Sequence, residues 1–277
     1  MRKRLVLHIG SHKTGTTHIQ STLARNAAVL ERIGVLYPQA GRIHEAHFRL
    51  CWQLKDRKLK QSALASLPDW AALQDEIDAA PQPVAVVSSE EFGLGLDPAR
   101  LAPLAERYDV AVVFYLRSPD SYLESFYNQF VKDFETREAR TIDRYLAEER
   151  LHFLETARIL RPWAELFGDA ALRVRLFDRV RAAGGLMADF LDAIGCTERP
   201  AFGPPGPVVH HKASLPPDAL EYVRAMNPWL TRPDGHHKFV VRLSRMAQAR
   251  SAELQQTRAG LLSLAGRQAL RSRFADA

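Results

Sequence analysis

Three short stretches of this chain combine residue types that bind anions and move protons. The first is Gly10-Ser11-His12-Lys13-Thr14-Gly15-Thr16-Thr17, a small-residue loop with one lysine. Such a loop, set between a strand and a helix, gathers backbone N–H groups and the positive end of the helix dipole on one point. The nucleoside-triphosphate pattern GxxxxGK[ST] has its lysine directly after the second glycine. Here Thr16 takes that place and Lys13 stands two residues before Gly15. The loop therefore suits a phosphate but not the usual triphosphate chemistry, and Lys13 belongs beside the transferred group or the bridging oxygen. The second stretch begins Arg117-Ser118-Pro119-Asp120 and reaches Ser125. A guanidinium fork with a nearby hydroxyl is a receptor for a phosphate monoester. Its structural alternative is an arginine that caps a helix or pairs with Asp120. The third is Ser88-Ser89-Glu90-Glu91-Phe92, two adjacent carboxylates after an apolar run.

These stretches need elements to hold them. Segments 4–9, 84–88, 110–116 and 172–177 read as strands, the middle two suited to burial on both faces. Helical patterns occupy about 16–31, 69–80, 98–107, 120–134, 141–167 and 184–194. Alternation of this kind predicts an α/β fold: a P-loop-like, three-layer arrangement with a mainly parallel central sheet flanked by helices. Ligands of such sheets bind beyond the carboxyl ends of strands, which picks out 10–17, 88–92 and 117–125. Residues 35–70, with His44, His47, Trp52 and the basic run 55–60, read as a variable helix-and-loop segment on the substrate side. The proline- and glycine-rich run 200–207 reads as a linker or wall loop. Beyond it the pattern predicts a helix from Pro216 to Met226 and a basic helical tail over about 238–273, within a C-terminal region of about 208–277. Tyr122, Phe126, Phe130 and Phe134 recur every four residues and read as helix core.

Length and composition bound the rest. The 277 residues can bury a full α/β core, and one domain is expected. Hydrophobic residues at 46% and charged ones at 25% fit a globular protein. The net charge of +6 is uneven: Arg242, Arg245, Arg250, Arg258, Arg267, Arg271 and Arg273 crowd the C-terminal end. That stripe is either a solvated helix face or a site for an acidic glycan or membrane-surface lipid; nucleic acid is not an expected partner. Cys51 and Cys196 form neither a disulfide framework nor a metal pair, and a reducing compartment follows. The basic residues 2–4 precede only a short apolar run, well below the roughly 7–15 residues of a signal h-region. A cytoplasmic protein, able to visit a membrane surface, is the expectation. The histidines at 8, 12 and 18 and the pairs at 210–211 and 236–237 lack metal-ligand spacing, and no metal is expected.

The first two loops together resemble the sulfotransferases that use 3′-phosphoadenosine 5′-phosphosulfate (PAPS). His12-Lys13-Thr14-Gly15-Thr16-Thr17 is similar to that family's 5′-phosphosulfate loop, P-K-[ST]-G-T-T, with His12 where proline is common. Arg117 with Ser125 is similar to its 3′-phosphate motif. The resemblance extends more weakly over 172–195. It implies PAPS as sulfuryl donor, gripped by Lys13, Thr14, Gly15, Thr16 and Thr17 at one end and by Arg117 and Ser125 at the other. The acceptor would be a hydroxyl or amine of a carbohydrate, lipid or small metabolite. His18 replaces a tryptophan that cytosolic members often carry, and no clean copy of the basic loop over the nucleotide is present. His210-His211-Lys212 and Gly235-His236-His237-Lys238 match that loop in composition only.

Sulfuryl transfer needs a base and a positive group at the leaving oxygen. Glu90 is the expected base, by its likeness in position to the glutamate of glycosaminoglycan-type members. Partial desolvation past a buried strand would raise its pKa. Glu91 is the inward residue instead if the strand continues; His18, His44 and His47 are further alternatives. Two rival readings remain: a P-loop kinase-like enzyme, and an inactive polyanion-binding member of the fold.

Overall fold

A computed structural model describes residues 2–203, 214–249 and 260–275. They divide into two compact units, Met1–Arg117 with Thr156–Gly206, and Ser118–Glu155 with Pro207–Ala277.

The first unit is built on β1 (Arg4–His8), β2 (Val35–Leu36), β3 (Val84–Ser88), β4 (Asp109–Leu116) and β5 (Leu172–Leu176). The strands lie in the order β2-β3-β1-β4-β5, and every pairing is parallel. Side chains alternate across β1, so Leu5 and Leu7 face one layer while Val6 and His8 face the other. The first layer holds α3 (Phe48–Lys55), α4 (Pro68–Ala79), α5 (Ala102–Arg107) and α8 (Thr156–Phe167), closing a core with Leu50, Trp70, Leu104 and Trp163. On the second face α1 (Thr16–Arg25), α2 (Ala27–Arg32), α9 (Phe177–Ala182) and α10 (Leu186–Ala193) bury Ile19, Leu30, Phe177 and Phe190. Full burial of each such side chain is worth about 1.5–3 kcal/mol. The α/β sandwich with its parallel sheet is thus as the sequence indicates. Register sets His8 beside both Ser88 and Val113, so the carboxyl ends of β1, β3 and β4 open on the same edge.

Several boundaries differ from the sequence pattern. The helix expected over 16–31 breaks at Asn26, whose side-chain amide donates to Thr22 O at 2.7 Å while its carbonyl oxygen accepts from Gly203 N at 3.0 Å. Asparagine competes with the backbone in this way and favours helix ends. The pattern over 141–167 is not one helix: α7 (Ile142–Glu148) stops, Leu151 turns left-handed at φ 55°, and α8 starts at Thr156. β2 has two residues, too few to leave a pattern. The run expected as strand to 177 gives way to α9 at Phe177.

The second unit gathers α6 (Pro119–Lys132), α7, α11 (Pro217–Met226), α12 (Pro233–Ala249) and α13 (Leu264–Arg273). Leu123, Phe126, Tyr127, Val131, Leu220, Val223, Val240 and Leu270 form its core. Tyr122, Phe126 and Phe130 join this cluster as the four-residue spacing indicates. Phe134 lies past the helix end, against His236. Part of the basic tail has a buried partner: Arg267, and Arg271 with its side chain 61% exposed, both bond the carboxylate of Asp120, which is 1% exposed. Residues 210–212, Arg250 and Arg258 lie outside the described residues.

Candidate functional site

The loop between β1 and α1 is shaped by three left-handed residues, Gly10 at φ 52°, Lys13 at φ 63° and Gly15 at φ 77°. Reversals of this kind turn successive amides toward one concavity, the geometry of anion-binding nests. A Cβ on Gly10 would meet Thr16 Cγ2 at 2.9 Å, and one on Gly15 would meet Leu186 Cδ2 at 2.5 Å, so both positions require glycine. Gly15 O accepts the first helical bond of α1, from Ile19 N at 3.0 Å. No side chain caps that helix and its first turn holds no acid, which leaves the amides of Thr16 and Thr17 for an outside anion. Thr14 is fully buried, and its hydroxyl donates to Ser11 O at 2.6 Å, inside the loop. Only its backbone remains for a ligand.

The acidic stretch rests directly on this loop. After β3 the chain turns into a short 3-10 helix, Glu90–Gly93, so the strand alternation that would point Glu90 and Glu91 to opposite faces does not apply. Glu90 Cα lies 3.3 Å from where a Gly10 Cβ would stand. Its carboxylate accepts from Gln20 Nε2 of α1 at 2.8 Å. Glu91 instead pairs with Lys55 of α3, Nζ to Oε2 at 2.8 Å. His12 shares this neighbourhood. Burial lowers its pKa, Glu90 and Glu91 oppose that fall, and Lys13 and Lys55 reinforce it. The His12 imidazole thus stands in the field of both carboxylates. The sequence places His12 in the loop but does not show its nearness to Glu90 and Glu91.

The other histidines separate clearly. His47 is fully buried and its pKa is pushed down to about 3 by burial. Its Nδ1 accepts from Ser88 N at 3.1 Å, which makes Nε2 the donor to Pro38 O at 3.1 Å. Fixed in that tautomer, it is a structural brace and not the base. His44 and His18 are exposed.

Arg117 follows β4 with its side chain 11% exposed. Its Nη1 donates to Lys13 O at 2.7 Å, its Nε lies 3.8 Å from Asp178 Oδ1, and its guanidinium sits 5.6 Å over the Phe177 ring. The arginine therefore ties the β1–α1 loop to the β5–α9 junction. Asp178 and Phe177 escaped the sequence reading although they too follow a strand's carboxyl end. Ser125 belongs to the second unit, on α6, and is partly exposed. Among the described residues, no group of three or more histidine, cysteine or acidic side chains is placed to hold a metal. None of their helices is long and apolar enough to cross a membrane.

A solved sulfotransferase from Alicyclobacillus acidocaldarius is similar, at 17% identity and a TM-score of 0.47, over 86% of this chain and 95% of that one. The sulfotransferase domain of the Synechococcus PCC 7002 olefin synthase is similar at 14% identity and a TM-score of 0.39, over 88% and 93%. No family model and no curated protein matches the chain.

Proposed function

We propose that the chain is a PAPS-dependent sulfotransferase acting on a hydroxyl or amine. The observation that carries this reading is the left-handed Lys13 in an uncapped phosphate loop, with the Arg117 guanidinium on its carbonyl. Lys13 stands two residues before Gly15, where the triphosphate pattern does not place its lysine. The left-handed Gly10 and Gly15 turns and the acid-free first turn of α1 fit the 5′ end of such a donor. Arg117 supplies the charge for its 3′-phosphate, and the sequence motif assigns Ser125 to the same group.

The donor supplies an activated sulfuryl group. Glu90 takes the proton of the acceptor as the acceptor's oxygen or nitrogen bonds to sulfur and the sulfur–oxygen bond to phosphate breaks. Lys13 meets the charge that develops on the leaving phosphate oxygen. Gln20 holds the Glu90 carboxylate in place through its 2.8 Å bond.

Calorimetric titration with 3′-phosphoadenosine 5′-phosphate checks the assignment. Micromolar binding is expected, weakened about tenfold or more by Lys13→Ala and by Arg117→Ala, as loss of a charge-assisted contact implies. Binding of magnesium–ATP in its place would favour the kinase reading, and unchanged affinity in both variants removes the donor assignment.

A further inference from the structure

Helix α3 is fastened along the acidic turn at both ends. At its start His47 N donates to Ser88 O at 2.9 Å, and Ser88 N donates back to the His47 ring. At its end Lys55 pairs with Glu91. Rising about 1.5 Å per residue, the helix runs roughly 12 Å beside the residues that lead into Glu90. At 3.6 residues per turn Phe48, Trp52 and Lys55 fall on one stripe, and the Lys55–Glu91 bond fixes which way that stripe faces. The other sides of the helix are engaged. Leu50, Cys51 and Leu54 are buried, and the Cys51 thiol is pushed up to about 12 by burial. Arg49 and Gln53 turn to the far flank and bond Asp69.

The aromatic pair on the stripe is not core. Trp52 is 52% exposed, and its ring lies nearly parallel to that of Phe48, tilted 14° with centroids 6.1 Å apart. A flat aromatic surface open to solvent, bordered by an ion pair whose carboxylate, Glu91, directly follows a candidate base in the chain, has the composition of a receptor for a sugar. One face of a pyranose is made of C–H groups that pack on an indole, and its rim is made of hydroxyls that need charged partners. The Lys55–Glu91 pair sets a donor and an acceptor at the edge of the rings, which the hydroxyls of a sugar can share and a plain aromatic acceptor or an acyl chain cannot.

We propose that Phe48 and Trp52 form the stacking platform of a saccharide acceptor, with Lys55 and Glu91 receiving its hydroxyls and a neighbouring hydroxyl directed to Glu90. This inference rests on the sulfuryl-transfer reading.

The experiment is saturation-transfer NMR with cellotetraose, chitotetraose and a glucuronate-containing tetrasaccharide, with and without 3′-phosphoadenosine 5′-phosphate. It compares the native chain with Trp52→Ala and Trp52→Phe. At least one saccharide should bind the native chain, about tenfold more weakly after Trp52→Ala and nearly normally after Trp52→Phe. Nucleotide affinity within about twofold of native in both variants, a difference under 0.5 kcal/mol, shows that the fold is intact. Equal saccharide binding with and without Trp52 overturns the platform, as does no saccharide binding at all. Trp52-dependent binding of p-nitrophenol or of phosphatidylglycerol vesicles in place of the saccharides overturns it too. Failure of the native chain to bind the nucleotide sinks the donor reading separately, because the saccharide arm is also read without it.

Discussion

Lys13 sets chemistry against stability in one residue. A side chain with a Cβ in the left-handed region costs about 1–2 kcal/mol, and Lys13 sits there at φ 63°. Lys13→Gly should therefore raise stability by up to about 1 kcal/mol, whereas Lys13→Ala keeps the strain and should not. Both variants should lose nucleotide affinity. Urea unfolding of the pair beside calorimetry reads the two effects independently; a glycine variant no more stable than the alanine one removes the strain account. The displaced position of Lys13 is plain in the sequence. What holds it is not, because Arg117 reaches its carbonyl across 104 residues, and a side-chain bond to a backbone oxygen leaves no residue pattern. The same holds for Gln20 on Glu90 and for His12, whose place in the site is a matter of three-dimensional neighbours.

At the scale of elements, the start of α6 depends on α13. Asp120 is buried in the first turn of α6 and receives Arg267 Nη1 at 3.1 Å and Arg271 Nε at 3.0 Å. Burial pushes its carboxyl up, but the bonds from Arg271 and Arg267 outweigh that and hold it below the ordinary value. A depressed folded value means the pairing stabilises above the usual carboxylate range and is lost as pH falls through the lower value. Replacing both arginines by alanine strands a buried charge and should cost about 3 kcal/mol of unfolding free energy by circular dichroism. Asp120→Asn with the arginines kept should cost less. From sequence the tail reads equally well as a solvated stripe, since nothing in its spacing names Asp120 as its partner. Apolar strands 84–88 and 110–116 are legible because burial on both faces writes a continuous pattern. The breaks at Asn26 and Leu151 are not, because each depends on one local backbone choice that hydrophobic periodicity does not record.

For the molecule as a whole, acid is the vulnerable side. His8 and His47 are fully buried in the sheet unit, and burial pushes both down to about 3. Each stays neutral in the folded chain but takes a proton near pH 6.5 once unfolded. The unfolded state then binds more protons between those values, so stability is complete above about pH 6.5 and falls as pH drops toward 3. The slope reaches about 1.4 kcal/mol per pH unit for each histidine. His8 Nδ1 meets Ser88 Oγ at 2.8 Å, and the ring touches Tyr115 and Phe190. His8→Phe fits those rings and should flatten the loss of stability between pH 6 and pH 4; an unchanged slope assigns the acid response elsewhere. The strand order carries one more consequence, for the making of the protein. β1, at the centre of the sheet, bonds to partners 80 and 105 residues further along, as His8 to Ser88 and Arg4 to Asp109 show. At about 5–20 residues per second of synthesis, this apolar strand waits several seconds or more for its first neighbour. Folding is therefore limited by long-range closure, and a nascent chain halted before β3 presents an unpaired Leu-Val-Leu edge to chaperones.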